Sequence, residues 1–175
     1  MAGASDIGFP YVAQPDARVL ILGSMPGAAS LAATQYYAHP RNAFWPLMGE
    51  MLRFDAGLPY AERLQALQEA GIALWDVVHR CHRPGSLDAD IRHDTVEAND
   101  FPAFFRDHAR IRAIFFNGQT AAALYRRHVL PQLSGPWRDL PRHVLPSTSP
   151  AHAGRSPAEK LAIWRQIADA LRAGG

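Results

Sequence analysis

The segment that most constrains this chain is Arg18-Val-Leu-Ile-Leu, which stops at Gly23. A short apolar run with β-branched members and no polar alternation is the pattern of a strand buried on both faces of a parallel sheet. Gly23-Ser-Met-Pro-Gly27 then turns the chain at the carboxyl end of that strand, with glycine at both ends of the turn and Pro26 stiffening it. In open α/β sheets that edge is where ligands bind. The turn has no Gly-Lys-Ser/Thr, so it is not a phosphate-binding P-loop.

The next stretch, Tyr36-Tyr-Ala-His-Pro-Arg-Asn-Ala-Phe-Trp-Pro46, puts four aromatic rings in a polar loop bounded by proline. Flat rings beside Asn, His and Arg suit a pocket for a planar heterocycle, with stacking on its faces and hydrogen bonds to its edge. Phe44 and Trp45 are expected as core residues at a helix start, and Tyr36 and Tyr37 stay available to a ligand. Pro46 has to sit in the first turn of that helix, which starts at Asn42 or Phe44.

Further along, Leu58 to Ala70 reads as a helix stopped by Gly71, and Ile72 to Val78 as a second buried strand. Arg80 to Asp100 has turn chemistry and mixed charge and is expected to be a long loop at the ligand edge. A short helix over Phe101–His108, a strand over Ile111–Asn117 and a helix from Gly118 follow. A fourth strand spans Arg142–Pro146, Ser147–Ser156 is a loop, and one helix runs from Pro157 to Ala173. Strands alternating with helices indicate an α/β fold, a three-layer α/β/α arrangement with a central four-stranded, mainly parallel sheet. The 175 residues fit a single domain, with residues 1–17 as an irregular N-terminal arm.

The net charge of +2 permits a DNA partner without demonstrating one, and of 18 basic residues only Lys160 is lysine. Cys81 is the sole cysteine, which excludes an intrachain disulfide and a cysteine zinc cage. His79, Cys81 and His82 are too crowded for a usual metal spacing. With no apolar run of membrane-spanning length and no signal-like start, a soluble cytoplasmic protein is expected.

GSMPG, YYAHPRNAFW and Leu145-Pro-Ser-Thr-Ser-Pro-Ala-His-Ala-Gly154 together resemble the two active-site motifs of the uracil-DNA glycosylase superfamily. Within it the motifs most resemble those of the hypoxanthine-DNA (deoxyinosine) glycosylases and, more distantly, those of the mismatch-specific uracil/thymine glycosylases. The resemblance implies a monofunctional DNA glycosylase that flips a deaminated base, hypoxanthine first, out of DNA and hydrolyses its N-glycosidic bond. It implies no metal and no cofactor, and DNA containing deaminated bases as the partner; a monomer is expected.

Met25 stands where many superfamily members carry an Asp or Asn that holds the water, and it can neither accept a proton nor align a water. The hypoxanthine branch instead gives the catalytic role to the Asn of the PxNxFW segment, here Asn42, for which the residues alone also offer an N-cap role. The base would meet Gly23, Ser24, Met25, Gly27, Tyr37 and His39, with Tyr37 as the stacking ring. Asn117, at the end of the third strand, faces the same edge or caps the helix after it. Ser149-Pro150 resembles the turn that pinches the DNA backbone, Ala151 to Gly154 lie where an intercalating wedge goes, and His152 and Arg155 would contact phosphate. Asp88 and Asp90 offer either carboxylate chemistry or turn caps. The rival readings are a uracil or xanthine glycosylase, or a catalytically silent module that binds damaged or single-stranded nucleic acid by stacking and arginine contacts.

Overall fold

The computed structural model describes residues 5–152 and 154–173. In chain order the elements are β1 (Asp6–Ile7), β2 (Val19–Gly23), α1 (Ala28–Ala33), α2 (Phe44–Leu52), α3 (Tyr60–Glu69), β3 (Ile72–Asp76) and β4 (Val78–His82). They continue as β5 (Arg92–Ala98), α4 (Phe101–Asp107), β6 (Ala113–Asn117), α5 (Gln119–His128), β7 (Arg142–Leu145), α6 (Pro157–Trp164) and α7 (Gln166–Arg172). The central sheet has the order β3-β2-β6-β7 with all neighbours parallel. Both of its inner strands are apolar up to their last residues, and all five residues of β2 are buried.

Alternation along these strands divides the core into two. Leu20, Leu22, Trp75, Ile114 and Phe116 face α4 and α5, while Val19, Ile21, Leu74 and Phe115 face α2, α3, α6 and α7. The result is helix, sheet, helix, the three layers the strand and helix order predicts. At the amino edge, Arg18 reaches the carbonyls of Leu171 and Ala70, and Arg112 those of Ala170 and Leu171. Two arginines thus satisfy the last carbonyls of helices that end there. The opposite edge is left for a site.

Three expectations are corrected. Arg80–Asp100 is not a loop: β4 and β5 form an antiparallel hairpin whose register shifts twice, and β1 pairs with β4 to make a second, three-stranded sheet. The hairpin hides from pattern reading because β5 is solvated along most of its length and carries no apolar alternation. The N-terminal segment, expected to be irregular, also uses its backbone: Gly8 donates to His79 O, and Val12 and Leu74 exchange hydrogen bonds of 2.9 Å each. The expected C-terminal helix is divided at Arg165 into α6 and α7. Among the described residues no helix is long and apolar enough to cross a membrane.

Candidate active site

A cavity of about 1050 Å³ opens at the carboxyl ends of β2, β3 and β6. Its deepest polar cluster forms because parallel pairing puts Gly23 level with Asp76. A Cβ at Gly23 would fall 2.5 Å from Asp76 Oδ1 and 2.9 Å from the Tyr37 hydroxyl, so only glycine lets these two groups meet against the strand end. Asp76 is 3% exposed, and its Oδ2 is buried without a hydrogen-bond partner. Burial, reinforced by the nearby Asp88 and partly offset by Arg83, pushes the Asp76 carboxyl up to about 7. At neutral pH this acid is poised between its two forms.

Tyr37 holds a left-handed backbone with φ of 55°, unusual for a bulky residue and a form of strain that clusters at functional sites. Its ring is backed by Phe44 at 4.1 Å between centroids, nearly parallel, and it lines the cavity. Burial drives its hydroxyl far above the usual phenol range, so it serves only as a neutral O–H, and that O–H is buried near the Asn117 amide without a well-formed hydrogen bond. Tyr37→Phe is therefore expected to stabilise the free protein by about 1 kcal/mol in urea unfolding, because an unsatisfied polar atom is removed. Tyr36 is not available to a ligand as expected: it is 3% exposed, and its hydroxyl donates to Pro10 O.

Asn42 lines the cavity just ahead of α2. The N-cap position falls on Ala43, but the Asn42 side chain still supports the helix start, because Oδ1 accepts the Phe44 N–H at 2.9 Å. That bond fixes the orientation of the amide and leaves Nδ2 as a donor. His39 is set similarly: its Nδ1 accepts the Arg41 N–H at 3.1 Å, which places the ring proton on Nε2. Both side chains are local backbone supports with a donor to spare.

Asn117 exchanges two hydrogen bonds with Thr148, each 2.9 Å, and Thr148 O accepts the Ala43 N–H at 3.0 Å. The end of β6, the loop after β7 and the start of α2 are thereby locked together. Asn117 does not cap α5, whose N-cap is Gly118. Ser149, Pro150, Ala151 and His152 border the cavity in a tight turn in which His152 N–H donates to Ser149 O. Lys160, 6% exposed, holds this turn from below, with Nζ donating to Ser147 O and His152 O at 2.7 Å each. Lys160→Met is expected to lower stability in urea unfolding by about 1–2 kcal/mol, since two carbonyls lose their donor. Arg155 lines an adjoining pocket instead, and Ala153 lies outside the described residues.

The turn residues Gly23, Ser24, Met25 and Gly27 all border the cavity, although Met25 is only 6% exposed and its side chain packs into the core. Ser24 donates to Asp88 Oδ1 at 2.5 Å, and Arg83, buried beneath the turn, donates to Pro26 O and reaches Asp6 at 3.3 Å. Sequence reading did not single out Asp76, nor the exposed His93, Arg126 and Arg127 that line the same cavity. A lone acid ending the apolar run Ile-Ala-Leu-Trp-Asp was the available signal for Asp76.

The order and spacing of these elements match a known group. The sequence model of the uracil DNA glycosylase superfamily matches residues 9–171. The chain belongs to that superfamily. Among superfamily relatives, a hypoxanthine DNA glycosylase from Methanosarcina barkeri is 40% identical over 114 residues, covering 64% of this chain and 70% of the relative. A hypoxanthine DNA glycosylase from Methanosarcina acetivorans is 36% identical over 137 residues, covering 73% and 85%. The solution NMR structure of a candidate uracil DNA glycosylase from Methanosarcina acetivorans superposes with a TM-score of 0.75 at 32% identity, covering 94% of this chain and 99% of that one.

Proposed function

We propose that the chain is a monofunctional DNA glycosylase that hydrolyses the N-glycosidic bond of deaminated bases, hypoxanthine first, after the nucleotide is flipped into the cavity. The single observation that carries this reading is the orientation of Asn42. Deamination replaces an exocyclic amino group, a donor, with a carbonyl, an acceptor. With Oδ1 held by the Phe44 N–H, Asn42 presents Nδ2, which welcomes a carbonyl and opposes an amino group. The membership of the superfamily and the names of the relatives support the same substrate class.

In the reaction the C1′–N bond breaks with its electron pair going to the base, leaving an oxocarbenium-like sugar; water then bonds to C1′, and the proton it releases neutralises the departed base anion. The enzyme's task is to stabilise negative charge on the departing base more than on the bound one. Asn42 Nδ2 and His39 Nε2 are the donors available for this, and Asp76 in its protonated form adds an O–H. Ionised Asp76 offers no donor and places negative charge near the leaving anion. Tyr37, backed by Phe44, supplies the stacking face. Met25 cannot activate water, which suits a path in which the base departs before water bonds to the sugar.

The sole lysine argues against a lyase step. Lys160 Nζ is bound to two carbonyls and lies in the wall of the adjoining pocket, so no amine faces the cavity among the described residues. The test is incubation of labelled duplexes carrying deoxyinosine, deoxyuridine or deoxyxanthosine with enzyme in excess. Free base should appear without strand breakage, and alkali should then cut the strand at the abasic site. Strand breakage before alkali, or no release from any of the three, would sink the proposal.

A further inference from the structure

Among the described residues, four large apolar side chains stand exposed: Ile7, Tyr11, Leu87 and Val144. Of these only Leu87, 54% exposed, borders the main cavity. It sits in the loop of the β4–β5 hairpin, between two residues whose side chains are both tied to the Gly23–Gly27 turn region. Ser86 Oγ accepts the Ala28 N–H at 2.9 Å, and Asp88 Oδ1 accepts the Ser24 hydroxyl at 2.5 Å. The Leu87 backbone is bound as well, with its N–H donating to Asp90 Oδ2 at 3.2 Å and its carbonyl accepting the Asp90 N–H at 2.9 Å. A loop pinned on both flanks thus holds one aliphatic side chain outward at the rim.

An enzyme that extracts a nucleotide from a duplex has to fill or hold open the gap in the stack, and proteins that part base steps do so with rigidly presented apolar side chains. In the turn after β7 the described residues reach less far or are polar: Pro150 is exposed but compact and shorter than leucine, Ala151 is small, and His152 is polar. Exposed Arg126 and Arg127 line the same cavity and offer charge to the phosphates of a strand lying across its mouth, and exposed His93 lines it too. We propose that Leu87 is the wedge that enters the base stack when the target nucleotide leaves it. The inference rests on the glycosylase reading for its substrate, and it moves the extrusion device from the C-terminal loop to the hairpin. The hairpin then has two tasks: Asp88 holds the turn that receives the base, and Leu87, one residue away, enters the stack it vacates.

The test compares wild type, Leu87→Ala and Leu87→Met on deoxyinosine in duplex and in single-stranded DNA under single-turnover conditions. Leu87→Ala is expected to be at least tenfold slower on duplex and within twofold of wild type on the single strand, where nothing has to be unstacked. Leu87→Met should recover most of the duplex rate. Equal duplex rates, or an equal loss on both substrates, would overturn the wedge. A second arm does not depend on catalysis: 2-aminopurine placed beside deoxyinosine in the duplex brightens when its neighbour leaves the stack. Wild type should raise the fluorescence, and Leu87→Ala should not. If wild type cleaved nothing yet raised the signal in a Leu87-dependent way, the glycosylase reading would fall and the wedge would stand. No rise with wild type, or the same rise with Leu87→Ala, would remove the wedge.

Discussion

Asn42→Ala is expected to lower the single-turnover rate on deoxyinosine by about 10²–10³-fold, the range seen when one donor to developing negative charge is deleted. The same change removes the acceptor for the Phe44 N–H, so about 1 kcal/mol of stability should also go. Those two losses have different origins and can be separated. Asn42→Asp keeps an oxygen for the Phe44 N–H and should unfold close to wild type, yet it replaces the donor with a negative charge facing the leaving base. Its activity should therefore fall at least as far as that of Asn42→Ala. If Asn42→Asp cleaved like wild type, Asn42 would be a helix support and nothing more.

The second large effect concerns Asp76 and pH. With its folded pKa raised to about 7 against an ordinary value of 3.8, the folded chain keeps a proton that the unfolded chain has already released. Stability is therefore highest below the unfolded value, falls as pH rises from about 4 to about 7, and is level above that. At about 1.4 kcal/mol per pKa unit, a shift of roughly three units corresponds to about 4 kcal/mol over the whole window. Asn at this position imitates the neutral acid in shape and cannot ionise. Asp76→Asn should leave the unfolding midpoint unchanged at pH 4 and raise it by several degrees at pH 8, measured by thermal unfolding across that range. The cleavage rate of wild type should decline as pH rises through about 7, and the variant should lose that decline. A wild-type stability slope that survives in Asp76→Asn would place the buried proton elsewhere.

Much of this arrangement was legible in the sequence because it is local. The run from Arg18 to Gly23 could only be an inner strand, and Pro46 fixed the start of α2 at Phe44 to within two residues. Parallel strands then bring Gly23, Asn117 and the turn after Leu145 to one edge, which is why residues from three distant segments meet around one cavity. What could not be read depends on tertiary placement. Asp76 resembles any polar residue ending a strand until the register sets it beside Gly23 and under Tyr37. Tyr36 and Tyr37 are neighbours of the same type at the cavity wall, and only the folded chain shows that Tyr36 is buried with its hydroxyl tied to Pro10 O while Tyr37, on a left-handed backbone, keeps an unpartnered hydroxyl. The hairpin that carries Asp88 and Leu87 is held by pairing, by hydrogen bonds to the Gly23–Gly27 turn region and by Val78, Cys81, Ile91 and Val96 packed into the core, apolar positions too scattered to read as a strand pattern.

The most direct measurement is the single-turnover rate of the wild-type enzyme on deoxyinosine and on deoxyadenosine in otherwise identical oligonucleotides. The two bases differ by a carbonyl in place of an amino group, with N1 turned from acceptor to donor, and the carbonyl is the feature a fixed Asn42 donor reads. A site built around such a hydrogen bond rejects the wrong partner by about 10⁴-fold or more, and that is the preference expected for deoxyinosine. Comparable rates on the two, or cleavage of neither, would contradict the account.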